Sequence, residues 1–304
     1  MSSTVSPAKA ERAQAILEEE DALVSLHRAW YPPVQRPVVA DRQPVNEDAI
    51  RRRRAELARE GVRWFDVSNR RRAVRTAEEM AHHDIDEAMA ASSNWTEREE
   101  RRLDAWWNAL CGNDPVVVEQ HLRGVFQSTD TPASPVSVAG GLLDVAVLIP
   151  GEHVLPSESV HLVGGDLSIR RASRSHRAQL HRQVVAGLLI AVARQAFAAA
   201  PGLTAVRCHA LQATHRGRHD DLSAIGVVEL SRVDLAVADL NVDAEALLHR
   251  YGSGLRWVTH TPDGPLRPLP LDDMPELADL LARLCRNALG EASDDRRPGV
   301  SAPA

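Results

Sequence analysis

The sequence predicts an α+β fold, in which an N-terminal helical, coiled-coil-like region precedes a compact α+β domain around a central buried helix. Three observations lead to this prediction. The first part shows helical spacing of apolar residues, with no proline or glycine between Gly61 and Gly112. Residues 128–136 (STDTPASPV) read as a polar linker. The part after it mixes short apolar segments with a longer apolar run. The predicted regions are a helical region at 1–130, an α+β domain at 136–289 and a compositionally disordered tail at 290–304.

Four helical segments are predicted in the helical region, at 8–29, 46–61, 68–111 and 115–127, and the segment 68–111 is either one long helix or a helical pair. Asn46 and Ser68 are the cap candidates of the second and third. Met80, Ile85 and Met89 lie on a thin apolar stripe of the densely charged third helix, a pattern typical of a helical hairpin or coiled coil. We therefore expect these helices to pack together and to bind a protein partner or a second copy of the chain.

The α+β domain is predicted to begin with a buried strand at 142–149, because this apolar run ends at a proline and a glycine. Ser173 is the expected cap of a long helix, which runs all-apolar through its middle and stops at Pro201-Gly202. The other predicted elements are strand arms at 160–163 and 167–169, strands at 203–213 and 222–231, a helix at 243–250, a hairpin around 261–264 and a helix at 275–289.

Composition excludes several function classes. Lys9 is the single lysine among 36 basic residues. A P-loop and a protein kinase each need a lysine on the nucleotide phosphates, and Schiff-base chemistry needs an amine that can lose its proton. Arginine retains the capacity to bind phosphate and carboxylate. The sequence therefore predicts a protein that is poor in lysine chemistry and rich in anion-binding groups.

Cysteine usage and hydropathy predict a cytoplasmic protein that does not enter a membrane. The three cysteines, Cys111, Cys208 and Cys285, are widely spaced and form neither a disulfide framework nor a metal knuckle. The N-terminus has no apolar segment of a signal peptide. The longest apolar run, Val184 to Ala193, is shorter than the ~20 residues that a membrane span needs.

The strongest anomaly is electrostatic, because residues 167–219 contain no Asp or Glu in a chain of formal net charge −6. The predicted anion-binding residues are Arg170, Arg171, Arg174, Arg177 and Arg182, around the start of helix 174–199. The backbone dipole of a helix N-terminus adds to the attraction for anions. These arginines predict a surface for nucleic acid or another polyanion. The alternative is internal pairing with the acidic residues of the long helices.

Catalytic and metal sites have weaker signals. His215 and His219, followed by Asp220 and Asp221, are weak candidates for metal ligands. Gly217 and the predicted hairpin break the helical spacing that would place the two imidazoles on one face. No nucleophile motif and no phosphate-cradling loop accompanies them. We assign no catalytic residue and no cofactor, and keep a metal-dependent hydrolase as the alternative function.

Several segments carry a family resemblance. Trp106-Trp107-x-x-Leu110 is followed by Gly112-Asn113-Asp114-Pro115, and the strand LDVAVLIPG precedes a helix that begins SRSHRAQLHRQVVAGLL. In this order the chain resembles uncharacterised actinobacterial proteins of defence-like context and the N-terminal and middle regions of Mrr-like restriction endonucleases, over residues 10–285. These motifs are structural, and the sequence after 290 leaves no room for a nuclease domain.

The resemblance implies an accessory or sensing role near nucleic acid or phage defence. Together with the arginines, it predicts a non-catalytic cytoplasmic interaction protein. A structural scaffold built on the helical hairpin is the other alternative.

Overall fold

The protein has an α+β fold, as predicted. Its structure, a computed structural model, describes residues 6–40, 44–60, 67–163, 166–216, 219–261, 263–270, 272, 275, 277–279 and 281–282, without the side chains of 163, 214–216 and 219–221. The chain divides into two compact units. Unit 1 combines Met1–Val34 with Leu110–Ala304, and unit 2 is Gln35–Ala109. The predicted linker at 128–136 therefore lies inside unit 1, because helices before and after it share one core.

The α-helices with described bounds are α1 (Pro7–Val24), α2 (Glu47–Glu60), α3 (Val67–Cys111), α4 (Pro115–Ser128), α5 (Arg174–Ala199), α6 (Arg232–Val237) and α7 (Ala244–Tyr251). Side-chain caps fix several of their starts. The Asn46 carboxamide oxygen accepts from the Ala49 amide at 3.0 Å, as the sequence predicts. Ser68, the other cap candidate, lies within α3, which begins one residue earlier.

The strands are β1 (Ala133–Ala139), β2 (Leu142–Leu148), β3 (Glu158–Val163), β4 (Asp166–Arg171), β5 (Ala205–Arg216), β6 (His219–Ser231), β7 (Gly252–Thr259) and β8 (Leu266–Arg267). Six of them form one sheet in the order β1-β2-β5-β6-β7-β8, and β3 and β4 form a separate two-stranded sheet. In the large sheet β2 and β5 are parallel and the other neighbours are antiparallel. The parallel pair requires a crossover, which contains β3, β4 and α5.

Helix α5 is the core of unit 1 and has the bounds predicted from the sequence. The Ser173 hydroxyl accepts from the His176 amide at 3.1 Å, which caps its first turn. Its middle is apolar on every face, and most of these residues are fully buried. Among the described helices, α5 is also the one long and apolar enough to cross a membrane by composition, and 83% of that apolar window is buried inside the protein. Burial of this kind is expected of a central core helix.

The large sheet is covered on both faces. Alternate residues of β5 point to opposite faces, and the Cys208 thiol on one face lies 3.7 Å from the Leu189 carbonyl oxygen of α5. On the other face, Leu211 of β5 packs into an apolar cluster. The remaining members of that cluster are Ala146, Ala224, Leu269, Leu277 and Leu281. Only part of this second face is apolar, and the rest carries polar side chains described below.

Unit 2 contains α2 and nearly all of α3. The Arg54 guanidinium donates two hydrogen bonds to the Asp84 carboxylate, of 2.5 and 2.7 Å. This contact holds the pKa of Asp84 below its usual range, mainly through the hydrogen bonds. Ala81 and Ile85 of α3 are buried. Unit 2 therefore contains an ion pair between α2 and α3 and a narrow stripe of buried apolar residues on α3.

The predicted linker is a strand for much of its length. Residues 133–139 form β1, which pairs with β2, and the register shifts between Pro135 and Ser137. Proline lacks the amide hydrogen of a strand ladder, but an edge strand tolerates this loss. Gly140 and Gly141 join the two strands with positive φ angles of 56° and 85°, which a two-residue hairpin turn of this kind requires.

Two predicted elements lie outside the described residues, either mostly or entirely. They are the helix at 275–289 and the tail at 290–304. Cys285 and the turn glycines 164 and 165 also lie outside them.

Candidate functional site

The described arginines of the acid-free stretch fall into two groups, one that contacts other parts of unit 1 and one that is exposed. Arg182 of α5 is 6% exposed, and its guanidinium forms an ion pair of 2.9 Å with Glu245 of α7 and donates to the Gly264 carbonyl at 2.8 Å. Arg194 donates to two backbone carbonyls, those of His27 and Ala29. These side chains therefore tie α5 to its neighbours and are not available to a partner.

Arg177 is intermediate between the two groups. One of its terminal nitrogens donates to the Glu152 carbonyl at 2.7 Å. Its Nε is buried and has no hydrogen-bond partner among the described residues. The side chain is half-buried, and its one hydrogen bond among the described residues goes to the short turn after β2. We therefore place Arg177 at the border of the predicted anion-binding surface.

The histidines of the stretch whose side chains are described also have partners inside unit 1. His176 lies 3.1 Å from the Glu20 carboxylate of α1, and His181, 3% exposed, contacts the Pro150 carbonyl oxygen at 3.0 Å. Internal pairing, the alternative considered for the stretch, thus accounts for much of its charge. The acids that supply it are not the predicted ones of the long helices but residues of unit 1: Glu20, Asp144, Glu229 and Glu245.

Three arginines remain exposed at one corner of unit 1, and we call Arg170, Arg171 and Arg174 the arginine corner. Arg170 and Arg171 end β4, and Arg174 begins α5 two residues later. Arg170 donates to the Ser168 hydroxyl at 3.2 Å, whereas Arg171 and Arg174 have no hydrogen-bonded or ionic partner in the described part of the chain. The corner therefore keeps a positive charge that unit 1 does not neutralise there.

The acid nearest to this corner in the strand register has another partner. Glu158 of β3 lies opposite Arg171. Its carboxylate instead accepts two hydrogen bonds from Arg12 of α1, at 2.8 and 3.1 Å. The first-turn amides of α5 add a partial positive charge to the same corner. An anion that binds at this end of β4 would meet Arg171 on one face of the strand or Arg170 on the other, next to the positive end of the 26-residue helix α5.

The weak metal candidates receive no support from the described residues. The strand register places His215 opposite Asp220 and Arg216 opposite His219, but the side chains of these residues lie outside the description. Elsewhere in the described part of the chain, no three His, Cys, Asp or Glu side chains come together as a metal-binding group.

A polar cluster on the large sheet escaped the sequence analysis. Asp144 of β2 accepts a hydrogen bond from the Ser137 hydroxyl at 3.0 Å and lies 3.1 Å from Nε2 of His209 on β5. Arg207 bridges Asp144, at 3.5 Å, and Glu229 of β6, at 3.0 Å. Arg207 and His209 at alternate positions of β5 were the signal, because such residues share one face of a sheet.

The surroundings of Asp144 favour its charged form. Burial alone would raise the pKa of Asp144, but the hydrogen bonds from His209 and Ser137 and the charge of Arg207 outweigh it, so that the pKa is lowered. Nδ1 of His209 is buried and has no partner among the described residues. Since a substrate cannot reach a buried nitrogen in this conformation, we interpret the cluster as a structural network that joins β1, β2, β5 and β6.

The buried thiol on the opposite face is chemically inert. Burial raises the pKa of Cys208, and the nearby Asp144 charge adds to the rise. A thiol with a raised pKa is protonated at neutral pH and is a poor nucleophile.

Comparison with known proteins identifies no relative of this chain. No family model matches the chain, and no curated protein or solved structure is significantly similar to it.

Proposed function

We propose that this chain is a non-catalytic, cytoplasmic interaction protein that binds an anionic partner at the arginine corner. One observation carries the proposal: Arg171 and Arg174 are exposed and unpaired within the described part of unit 1, whereas most other described cations of the same stretch have a partner inside the unit. Guanidinium groups bind phosphate and carboxylate oxygens in pairs of hydrogen bonds, so the corner suits either kind of anion.

Two reactive groups of unit 1 are closed to a substrate. The Cys208 thiol is buried, and the free nitrogen of His209 is closed to solvent. An active site needs at least one reactive group that a substrate can reach. The arginine corner, by contrast, is open to a macromolecule.

Nucleic acid is the first polyanion to test, because the family resemblance implies an accessory role in a nucleic-acid or phage-defence system. Unit 2 offers a second contact surface in the same proposal. Met80 and Met89 of α3 are 47% and 49% exposed on a charged helix, which suits a helical partner or a second copy of the chain.

Fluorescence anisotropy tests the proposal with the full chain, labelled DNA duplex, labelled single-stranded DNA and labelled polyglutamate at low salt. We expect at least one of these polyanions to bind the wild-type protein. Replacement of Arg170, Arg171 and Arg174 by glutamine should weaken this binding by roughly tenfold or more, since each exposed charge contact contributes up to about 1 kcal/mol and three are removed together.

Arg123→Gln is the matched control, because Arg123 is an exposed arginine of α4 in the same unit. This substitution should change the affinity by less than a factor of about two, because the electrostatic effect of one distant charge is screened by salt. Absence of binding to all three polyanions, or equal loss in the control and in the corner variant, would contradict the proposal.

A further inference from the structure

The edge of β4 is unpaired along the arginine corner. Among the described residues β3 is the one strand that pairs with β4, and no other element packs extensively against it. The Ala172 amide donates to the Ser157 carbonyl at 2.9 Å, next to the first pair of the β3–β4 register. Backbone hydrogen bonds of an antiparallel ladder alternate from one residue to the next. The amides and carbonyls of Leu167, Ile169 and Arg171 therefore point away from β3, toward the open edge.

The side chains beside this edge divide into an apolar part and a basic part. Ile169 lies opposite Val160, and Leu167 lies opposite Leu162, which is 77% exposed. These residues share one face of the small sheet, and Ile169 and Leu167 are half-buried. At the end of the strand this apolar face is followed by Arg171, and Arg170 lies on the opposite face. A strand added here would thus meet apolar side chains first and guanidinium groups at its end.

These two features identify the kind of partner. A peptide strand offers both donors and acceptors to a strand edge, whereas a nucleic acid offers no regular array of both. A second copy of β4, paired antiparallel about Ile169, would place Leu167 opposite Arg171 and Ser168 opposite Arg170, so it would offer no carboxylate to either guanidinium group. We propose that β4 binds an acidic, extended peptide segment of a partner protein as a third strand, with acidic side chains beside Arg170 and Arg171 and an apolar side chain beside Ile169.

This inference rests on the proposed function, since it names the anionic partner that the arginine corner takes. The backbone of the peptide pairs with the outward groups of Leu167, Ile169 and Arg171. Its acidic side chains form ion pairs with the corner, where Arg174 at the start of α5 lies nearest in sequence to the strand end. The peptide would also extend a two-stranded sheet, which is marginal by itself, to three strands.

A defined peptide tests the inference. The probe is fluorescein-labelled Thr-Glu-Glu-Val-Thr-Val-Thr, which in the antiparallel orientation places its glutamates beside Arg171 and Arg170 and its first valine beside Ile169. We expect it to bind the full chain in an anisotropy titration. Arg171→Gln should weaken binding by about fivefold, as expected for a partly exposed charge pair, and Arg123→Gln should leave it unchanged.

Backbone methylation separates strand pairing from charge attraction without changing the protein. Methylation of the first valine amide removes a hydrogen bond to β4 and adds a methyl group at the interface, so binding should fall by about tenfold or more. Methylation of the following threonine amide, which points to solvent, is the matched control and should change binding by less than about twofold. The Ile169→Pro variant removes one outward amide of β4, while the hydrogen bonds to β3 remain. It should weaken binding of the unmodified peptide by a similar factor of about ten.

Each outcome decides for or against the inference. Equal affinity of the two methylated peptides would overturn strand pairing while leaving anion binding by the corner intact. Failure of the peptide to bind, combined with DNA binding that the arginine variants abolish, would identify nucleic acid as the partner and would also overturn the inference. If neither the peptide nor any polyanion bound, the proposed function itself would fail.

Discussion

The ion pair of Arg182 with Glu245 provides the sharpest test of how the arginines are divided. Arg182 was predicted to bind anions from the surface, but its side chain is 7% exposed and that of Glu245 is 20% exposed. Besides the ion pair, the guanidinium donates to the Gly264 carbonyl. The Glu245→Gln substitution keeps the shape of the side chain and removes its charge, which leaves the buried guanidinium without its counter-ion.

The expected magnitude follows from burial. Removal of one partner of a buried ion pair destabilises a protein by about 3–5 kcal/mol, because the remaining charge is not compensated. Since Glu245 retains some contact with solvent, we expect the lower end of that range, about 3 kcal/mol. A domain of about 150–250 residues loses about 2–4 °C in Tm per kcal/mol. The Tm of Glu245→Gln should therefore fall by about 6–12 °C.

Thermal unfolding followed by circular dichroism, with urea denaturation for the free energy, measures this effect. The matched control is Glu158→Gln, which breaks the ion pair with Arg12 at the surface, where the two side chains are 35% and 65% exposed. Exposed pairs contribute about 0–1 kcal/mol. If Glu245→Gln melted like the wild type, or if both substitutions had the same effect, the structural role of Arg182 would be refuted.

Four further predictions concern the core, acid stability, a close backbone contact and metal content. Leu189→Ala should destabilise the protein by about 2–5 kcal/mol in urea denaturation. Leu188→Ala should have a smaller effect, because Leu188 is partly exposed. If both variants were as stable as the wild type, the assignment of α5 as the central buried helix would be contradicted. Asp144 has a lowered pKa in the folded state, so its contribution is present above the unfolded pKa of about 3.9 and is lost as the pH falls through the folded value. The difference in stability between wild type and Asp144→Asn should therefore be seen at pH 7 and shrink below about pH 4 in urea denaturation series; a difference independent of pH would oppose this account. Gly202→Ala should destabilise by about 1–3 kcal/mol, because the added carbon would lie 2.2 Å from the Cys111 carbonyl oxygen, and a wild-type Tm would show that this contact relaxes freely. Elemental analysis of the purified protein should find less than stoichiometric zinc, and one tightly bound ion per chain would favour the hydrolase alternative instead.

Elements with strong local signals were predictable from the sequence. Helix α5 has a serine cap, a long run without breaks except the tolerated Gly187, and a Pro-Gly stop, so its bounds follow from local rules alone. Strand β2 is similarly delimited by a glycine pair and by Pro150-Gly151. Strand β1 was not predicted, because proline within a short polar segment indicates a linker unless the pairing partner is known.

The functional surface was only partly predictable, since burial of an arginine depends on distant segments. Arg171 and Arg182 belong to the same acid-free stretch, and nothing in the local sequence distinguishes them. The difference comes from α7, which brings Glu245 to Arg182 from 63 residues away. At Arg171, the nearby Glu158 carboxylate is instead paired with Arg12 of α1. Such long-range pairings depend on the tertiary fold and carry no periodic signal in one sequence.

The salt dependence of binding tests the central claim most directly, because the arginine corner presents a small and known number of cations. Each phosphate neutralised on duplex DNA contributes about −0.9 to the slope of log affinity against log salt concentration. Arg170, Arg171 and Arg174 together should give the wild-type protein a slope of about −3, and the variant with all three replaced by glutamine a slope near zero. An unchanged slope in this variant would contradict the account, since the binding cations would then lie elsewhere on the protein.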